Sequence, residues 1–423
     1  MARPTVALVM IARDESAHLE RCLRSVEGLV DEVVIVDTGS RDSTVAIAGS
    51  LGAQVCSEPW NDSFSDARNA SLARARADWA FWLDADEWLD TEGRTHFAAV
   101  RDTLDDRKRL YLMTQTSPLG LTGGELRIAQ PRLFRRVPGL AWRYRVHEQV
   151  LDPCLELGFE VVSTDVIIRH SGYESAEAAA RKRKRNLRLL ELDLRDFPDD
   201  PWIHFQLGRD LLEDRFAEAE RHLLGALERL EPASSIARRA RGTLTVGYRK
   251  HGRLAEARAS ALVGLSRFPN DTTLLFEAGN LALSAEDFSE AEACFRRLIS
   301  EPPDADEAFV GIDPTTRRWR SRHNLALVLL RTDRLGEAER HWREALAEQP
   351  SEAPLWAGLA ASCQAQGKGR EFREAVAGLR GVDPGAAKPF GTAVKRASIG
   401  SSGAGRVPIS YRRRRRSRTW KVD

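Results

Sequence analysis

The chain has 423 residues, 42% hydrophobic and 30% charged with a net charge of +2, enough for two folded domains and their cores. No apolar run approaches the roughly 20 residues of a membrane-spanning helix, and the N-terminal VALVMIA is too short for a signal-peptide core and runs into charged residues. The five cysteines, at 22, 56, 154, 294 and 363, show neither CxxC nor metal-ligand spacing and read as reduced, packed thiols of a cytoplasmic protein.

Val6 to Ile11 and Val33 to Val36 are short β-branched runs, each followed by polar residues and a stretch with helical spacing, which predicts βαβ units and a parallel sheet. The second run ends in Asp37-Thr38-Gly39-Ser40. Gly39 permits a tight turn, and Ser40, Asp42 and Ser43 are candidate N-caps for a helix with apolar residues at Val45, Ile47, Ala48 and Leu51. Ligands of open α/β sheets bind beyond the carboxyl ends of the strands, so Asp14, Glu15, Asp37, Asp84 and Asp86 are expected at one edge. Carboxylates gathered there repel one another unless a cation or a hydrogen-bonding ligand compensates.

In LDADEWL, residues 83–89, a hydrophobic strand meets solvent. If the strand continues through this turn, Asp84 and Asp86 lie on one side, and divalent cations favour such carboxylates, Mg²⁺ completing its shell with water and phosphates. Further on, a basic and aromatic stretch from Arg132 to Arg145, with Trp142 and Tyr144, precedes Glu148 in RVHEQV.

The pieces VALVMIARDE, DEVVIVDTGSRDST, WNDSFSDARNASL, DWAFWLDADEWL, QPRLFRRV, YRVHEQV and IIRHSGY, in that order over the first 172 residues, resemble the family 2 glycosyltransferases with a GT-A fold. Arg13-Asp14 departs from the lysine or tyrosine followed by asparagine that relatives commonly carry, which bears on nucleotide preference more than on fold. The resemblance implies an inverting hexosyl or related transfer from a nucleoside-diphosphate sugar, a UDP-sugar in particular. It implies that Asp37 accepts a hydrogen bond from a uridine base, that Glu15 lies beside the ribose pocket, and that Ser40 belongs to the nucleotide side. Asp84 and Asp86 match the motif that holds Mn²⁺ or Mg²⁺ on the two phosphates, and His170 resembles a third metal ligand of some GT-A enzymes. Arg68 and Asn69, in DARN, match a basic and amide pair near the nucleotide.

Inversion also needs a base on the acceptor side. Glu148 is the candidate, with His147 orienting it and with Arg132 and Arg135 as phosphate partners. Blander readings stand beside these: a solvated acidic turn for Asp84 and Asp86, a helix-surface pair for Arg68 and Asn69, a surface ion pair for Glu148, and a structural strand-end histidine for His170.

Beyond residue 172, Glu174 to Asp196 reads as a long helix with one basic face, a linker over 173–198. Pro269 and Pro303 are 34 residues apart, as are Pro350 and Pro384, and 34 is the tetratricopeptide period. HGRLAEARA, AEDFSEAEA, TDRLGEAER and EDRFAEAER set Ala257, Ala291, Ala338 and Ala219 at equivalent sites of second helices, with Leu254, Phe288 and Leu335 filling between helices, for about five repeats over 199–384. The 47 residues from Ala291 to Ala338 exceed one period by 13, so SEPPDADEAFVGIDPTTRR carries a loop insertion, either a functional lip or a tolerated surface loop. The expected fold class is thus a Rossmann-like α/β GT-A domain followed by an all-α solenoid.

From Gly385 the tail holds eleven Lys or Arg against one Asp, about +10, leaving the rest near −8. GSSGAG and YRRRRRSR cannot build a core and are expected to be disordered over 385–423. Such a tail suits an anionic membrane surface, nucleic acid without sequence preference, or plain solvation.

Solenoids offer a concave groove, and the fusion resembles a family 2 branch that includes enzymes glycosylating peptide side chains, which implies a peptide or protein acceptor in the groove. A glycan or lipid acceptor, with the repeats as a partner-binding or homo-oligomer scaffold, is the alternative. A nucleotidyltransferase usually shows a glycine-rich phosphate loop that ARDES lacks, and Asp37, Asp84, Asp86 and Glu148 count against a non-catalytic scaffold.

Overall fold

The computed structural model describes residues 3–118, 125–172, 176–303 and 313–390, and the backbone of 411–413 and 420–422. Most of the basic tail and the middle of the loop insertion lie outside the described residues. The chain divides into two compact units, the first running to Ala240 and the second beginning at Arg241. No helix among the described residues is long and apolar enough to cross a membrane.

The first unit is built on β1 (Val6–Ala12), α1 (Leu19–Ser25), β2 (Glu32–Asp37), α2 (Thr44–Ser50), β3 (Gln54–Ser57), α3 (Phe64–Arg74), β4 (Trp79–Trp82), β5 (Glu87–Trp88), α4 (Thr91–Asp102), β6 (Arg109–Pro118), β7 (Glu125–Arg135), α5 (Leu151–Glu156) and β8 (Glu160–His170). One sheet of order β3-β2-β1-β4-β7-β6-β8-β5 results, parallel from β3 to β4 and turning antiparallel where β7 meets β4. The parallel strands are covered on both faces, and their side chains alternate between two cores. Val6, Leu8, Met10, Trp79 and Phe81 pack with Leu19 and Leu23 of α1 and Phe97 of α4, whereas Ala7, Val9, Ala80 and Trp82 pack with Leu72 of α3 and with Leu140 and Trp142.

The sheet is followed in the same unit by α6 (Ala176–Asp196), α7 (Pro201–Leu211), α8 (Phe216–Arg229) and the start of α9 (Ser235–Lys250). This unit therefore runs past the boundary expected near residue 199. Asp200 caps α7 by accepting from Trp202 N at 2.8 Å and Ile203 N at 3.2 Å, with Pro201 at the first helical position.

The second unit continues through α10 (Leu254–Leu265), α11 (Thr272–Ser284), α12 (Phe288–Ser300), a 3-10 turn (Pro314–Arg317), α13 (Trp319–Arg331), α14 (Leu335–Glu348), α15 (Ala353–Ala365) and α16 (Gly369–Val382). Counted from α7, the described residues form five helical pairs. Ala219, Ala257, Ala291 and Ala338 are all at 0% exposure, as close helix packing requires. Phe288 is half-buried against the helical core, but Leu254, at the equivalent first position of α10, is 48% exposed and does not fill between helices. The described end of the insertion packs down: Thr316 is buried, and Arg317 Nη1 donates to Glu301 O at 2.9 Å.

Gly358 of α15 lies against the fully buried indole of Trp342, and a Cβ there would sit 2.5 Å from Trp342 Cζ2. Gly358→Ala is therefore expected to cost about 1–3 kcal/mol by overpacking. The readout is the denaturant midpoint at unchanged m-value; a loss under about 0.5 kcal/mol would mean that the ring has room to yield.

Candidate functional site

The parallel register Ala12↔Asp37 brings the loops after β1 and β2 side by side at the carboxyl edge. Asp37 is 5% exposed, and its Oδ2 accepts Gly39 N and Ser40 N at 3.1 Å each. Gly39, at φ 108°, supplies the left-handed turn this needs. The two loops are laced together: Asp14 N donates to Ser40 Oγ at 2.9 Å, and Arg41 N donates to Asp14 Oδ1 at 2.7 Å. Of the three N-cap candidates of α2, Asp42 does the bonding, accepting Thr44 N at 2.9 Å and Ser16 N at 3.0 Å, while Ser43 makes no capping bond.

Strand β4 stops at Trp82, and the next residues turn, Glu87 N donating to Asp84 O at 3.0 Å. The extended alternation expected through LDADEWL is therefore absent, and a turn separates the two carboxylates onto different partners. Asp84 Oδ1 accepts Arg68 Nη2 at 2.9 Å. Asp86 Oδ2 lies 3.0 Å from His170 Nε2, a contact made by the antiparallel pairing Glu87↔His170 of β5 with β8. Gly172 N donates to His170 Nδ1 at 3.0 Å, so Nδ1 is an acceptor and the proton sits on Nε2 facing Asp86. That hydrogen bond raises the His170 pKa against its burial; burial works against the Asp86 charge, and His170 outweighs it, lowering the Asp86 pKa. Glu15 is pushed up to about 7 by burial and then by Asp86, Asp84, Asp42 and Asp14, so Asp14, Asp84 and Asp86 of the expected acids gather around it, with Asp42 beside them.

Arg68 of α3 is 6% exposed and lies beside the edge-to-face pair Trp82 and Trp142, 4.3 and 5.1 Å from their ring centres. Its Nε donates to Glu148 Oε1 at 2.6 Å, so one cation joins Asp84 to Glu148. Burial opposes the Arg68 charge, and the two carboxylates overcome it and raise the pKa. Glu148 is thus ion-paired with Arg68 rather than with an arginine of the 132–145 stretch.

Three other candidates lie elsewhere than expected. Asn69 spends both ends of its amide on Trp142, donating to its carbonyl at 3.0 Å and accepting its N–H at 2.7 Å. Arg132 is 0% exposed, with Nη1 and Nη2 on Glu87 at 2.6 and 2.7 Å and its guanidinium 3.7 Å from the Trp82 ring centre; it lies under the site, with no terminal nitrogen left for a phosphate. Arg135 pairs with Trp79 in the β4–β7 register, at the amino end of β4, and bonds Asp78 and Asp106 at 3.2 and 3.3 Å. In each case long-range packing decides, and no local motif reports it.

Glu148 sits on a loop pinched by the bridge Arg143↔Gln149. Tyr144 and His147 have φ of 71° and 54°, left-handed conformations that cost about 1–3 kcal/mol each and persist only when the surroundings impose them. Helices α6 and α7 impose these. Asp193 accepts Arg145 N at 2.9 Å and Arg145 Nη1 at 3.0 Å, Tyr144 Oη donates to Asp200 at 2.9 Å, and Arg209 Nη2 donates to His147 Nε2 at 3.1 Å. His147 therefore faces α7 instead of orienting Glu148. The sequence reading passed over Asp193, Asp200, Arg209 and Glu87; only Asp200 carried a signal, an N-cap aspartate before Pro201.

Residues 7–97 match the profile of Glycosyl transferase family 2. A TPR repeat-containing protein of Synechococcus elongatus is 32% identical over 310 residues, covering 69% of this chain and 76% of that protein. The SPbeta prophage-derived glycosyltransferase SunS of Bacillus subtilis is 30% identical over 222 residues; the match covers 51% of this chain and only about half, 51%, of SunS. Among solved structures, YrrB, a TPR protein with an unusual peptide-binding site, has a TM-score of 0.38 at 13% identity, covering 50% of this chain and 97% of that one. Glucosyl-3-phosphoglycerate synthase from Mycobacterium tuberculosis, in complex with Mn²⁺, UDP and glucosyl-3-phosphoglycerate, has a TM-score of 0.33 at 20% identity, covering 44% and 79%.

Arg132→Met leaves Glu87 buried and unpaired, and breaking a buried pair from one side costs about 3–5 kcal/mol. Denaturant unfolding should show that loss. An unchanged midpoint with weakened nucleotide binding would instead return Arg132 to the phosphate role.

Proposed function

The chain belongs to the family 2 glycosyltransferases that carry C-terminal tetratricopeptide repeats, and on that premise we propose that it moves a sugar, with inversion, from a nucleoside-diphosphate sugar, a UDP-sugar in particular, to a peptide or protein side chain. The observation that carries this reading is the double pairing of Arg68, which ties the donor-side Asp84 to the acceptor-side Glu148 at 2.9 and 2.6 Å. In this reading Asp37 accepts from the base, Glu15 faces the ribose with Ser40 beside it, and Asp84 and Asp86 lie under the diphosphate.

The residues present fit a divalent cation, Mn²⁺ or Mg²⁺. Asp84 and Asp86 are hard oxygen donors that would hold it, although among the described residues no three His, Cys, Asp or Glu side chains are gathered for an ion; Glu15 beside them is pushed up to about 7 by burial first and by four neighbouring carboxylates after it. His170, whose Nε2 lies 3.0 Å from Asp86 Oδ2, would be the third ligand only if Gly172 N let go of Nδ1, which would then carry the proton and donate to Ser117 Oγ. The bound ion supplies Lewis-acid stabilisation of the leaving diphosphate.

Glu148 takes the proton of the acceptor as it attacks the face opposite the diphosphate. Arg68 Nε holds Glu148 Oε1 at 2.6 Å, which fixes the carboxylate and leaves its other oxygen to face the acceptor. The repeats present an extended surface suited to a polypeptide acceptor.

Asp86→Ala should remove turnover and weaken sugar-nucleotide binding with the fold intact, measured as nucleoside diphosphate release and donor titration. Near wild-type turnover in that variant, or activity that survives exhaustive chelation, rules out the metal role.

Glu148→Gln keeps the shape of the side chain and removes the proton acceptor, so transfer should fall by about 10²–10⁴-fold with donor affinity nearly unchanged. If donor binding is lost while the residual rate stays high, the base lies elsewhere.

A further inference from the structure

One cleft in the first unit lies away from the carboxylate edge. It has a volume of about 540 Å³ and is formed between α3 and the segment after β7. That size falls in the range of small-molecule sites. The register Trp79↔Arg135 puts it at the amino end of β4, opposite the end that leads to Asp84 and Asp86.

The lining is amphipathic. Leu72 and Leu140 give it an apolar floor, and Arg76, Arg135 and Arg136 face Asp78 as the one carboxylate among the lining residues. Asp78 is already engaged, since its Oδ2 accepts Thr5 N at 2.9 Å and its Oδ1 lies 3.2 Å from Arg135. Arg136 spends Nη1 on Ala77 O at 2.6 Å, and its Nε is buried without a hydrogen-bond partner. Arg76 is exposed at the mouth, and among the described residues no carboxylate pairs with its guanidinium. Arg135 is answered by Asp78 and Asp106, whereas among the described residues no carboxylate pairs with the Arg76 or Arg136 guanidinium, and a buried N–H left unbonded, as at Arg136 Nε, is costly.

We propose that this cleft is a second binding site, for an amphipathic oxyanion whose carboxylate or phosphate sits on Arg76 and Arg136 and whose apolar part lies on Leu72 and Leu140. The site is separate from the donor site, so its existence does not depend on the transferase reading.

Titration calorimetry of the intact chain, saturated with UDP and Mn²⁺ to occupy the donor site, tests this with three probes of equal chain length: octyl phosphate, octanoate and 1-octanol. Saturable binding is expected for octyl phosphate or octanoate, whichever matches the oxyanion, and not for octanol. Arg76→Ala, at an exposed position that leaves the fold alone, should weaken the bound probe by about tenfold or more, the loss of a charge-assisted hydrogen bond. Arg136→Gln should weaken it further, with circular dichroism confirming the fold. The proposal is overturned if neither anion binds, if octanol binds equally well, if the arginine variants bind unchanged, or if UDP displaces the probe, which would place it in the donor site.

Discussion

The carboxylate edge of the sheet rests on one buried ion pair. Glu87 and Arg132 are both at 0% exposure, and the Glu87 carboxylate collects both terminal nitrogens of Arg132, Gln115 Nε2 at 2.8 Å and Asp84 N at 2.9 Å. One carboxylate thus fastens β7, β6 and the turn after β4. A buried charge is tolerated only when its bonding is this complete. The turn in which Asp84 and Asp86 diverge follows from it, because the Asp84 N–H is held beneath the sheet edge while its side chain stays 44% exposed.

Above that floor the electrostatics are unbalanced by design of the edge: five acids meet there, and Arg68 is the cation that answers two of the carboxylates around the pocket. Its burial against two tryptophans keeps water out, which strengthens both pairs. The same residue thereby sets the spacing between Asp84 and Glu148.

What the sequence made legible was local or periodic. The β-branched runs marked β1 and β2, the rule that ligands gather at strand carboxyl ends brought Glu15, Asp37, Asp84 and Asp86 together, and the alanine period found the helical pairs. Illegible were contacts that depend on distant partners. Nothing near Arg132 announces Glu87, 45 residues away, and nothing near Asn69 announces the Trp142 backbone, 73 residues away. LDADEWL reads as a strand end, and only the pull of Glu87 on Asp84 N turns it. Leu254 matched the period of Phe288 yet is 48% exposed, since the period gives a position and not what covers it.

The left-handed loop at Tyr144 and His147, clamped from α6 and α7, bears on how such fusions diversify. A cassette boundary at residue 172 or 199 would sever the clamp from the loop it shapes, so the first helical pair travels with the sheet through any recombination. The array is free to lengthen, shorten or be exchanged only from its far end, and chimeras that graft a new solenoid onto this transferase have their natural junction inside α9, where the first unit ends at Ala240.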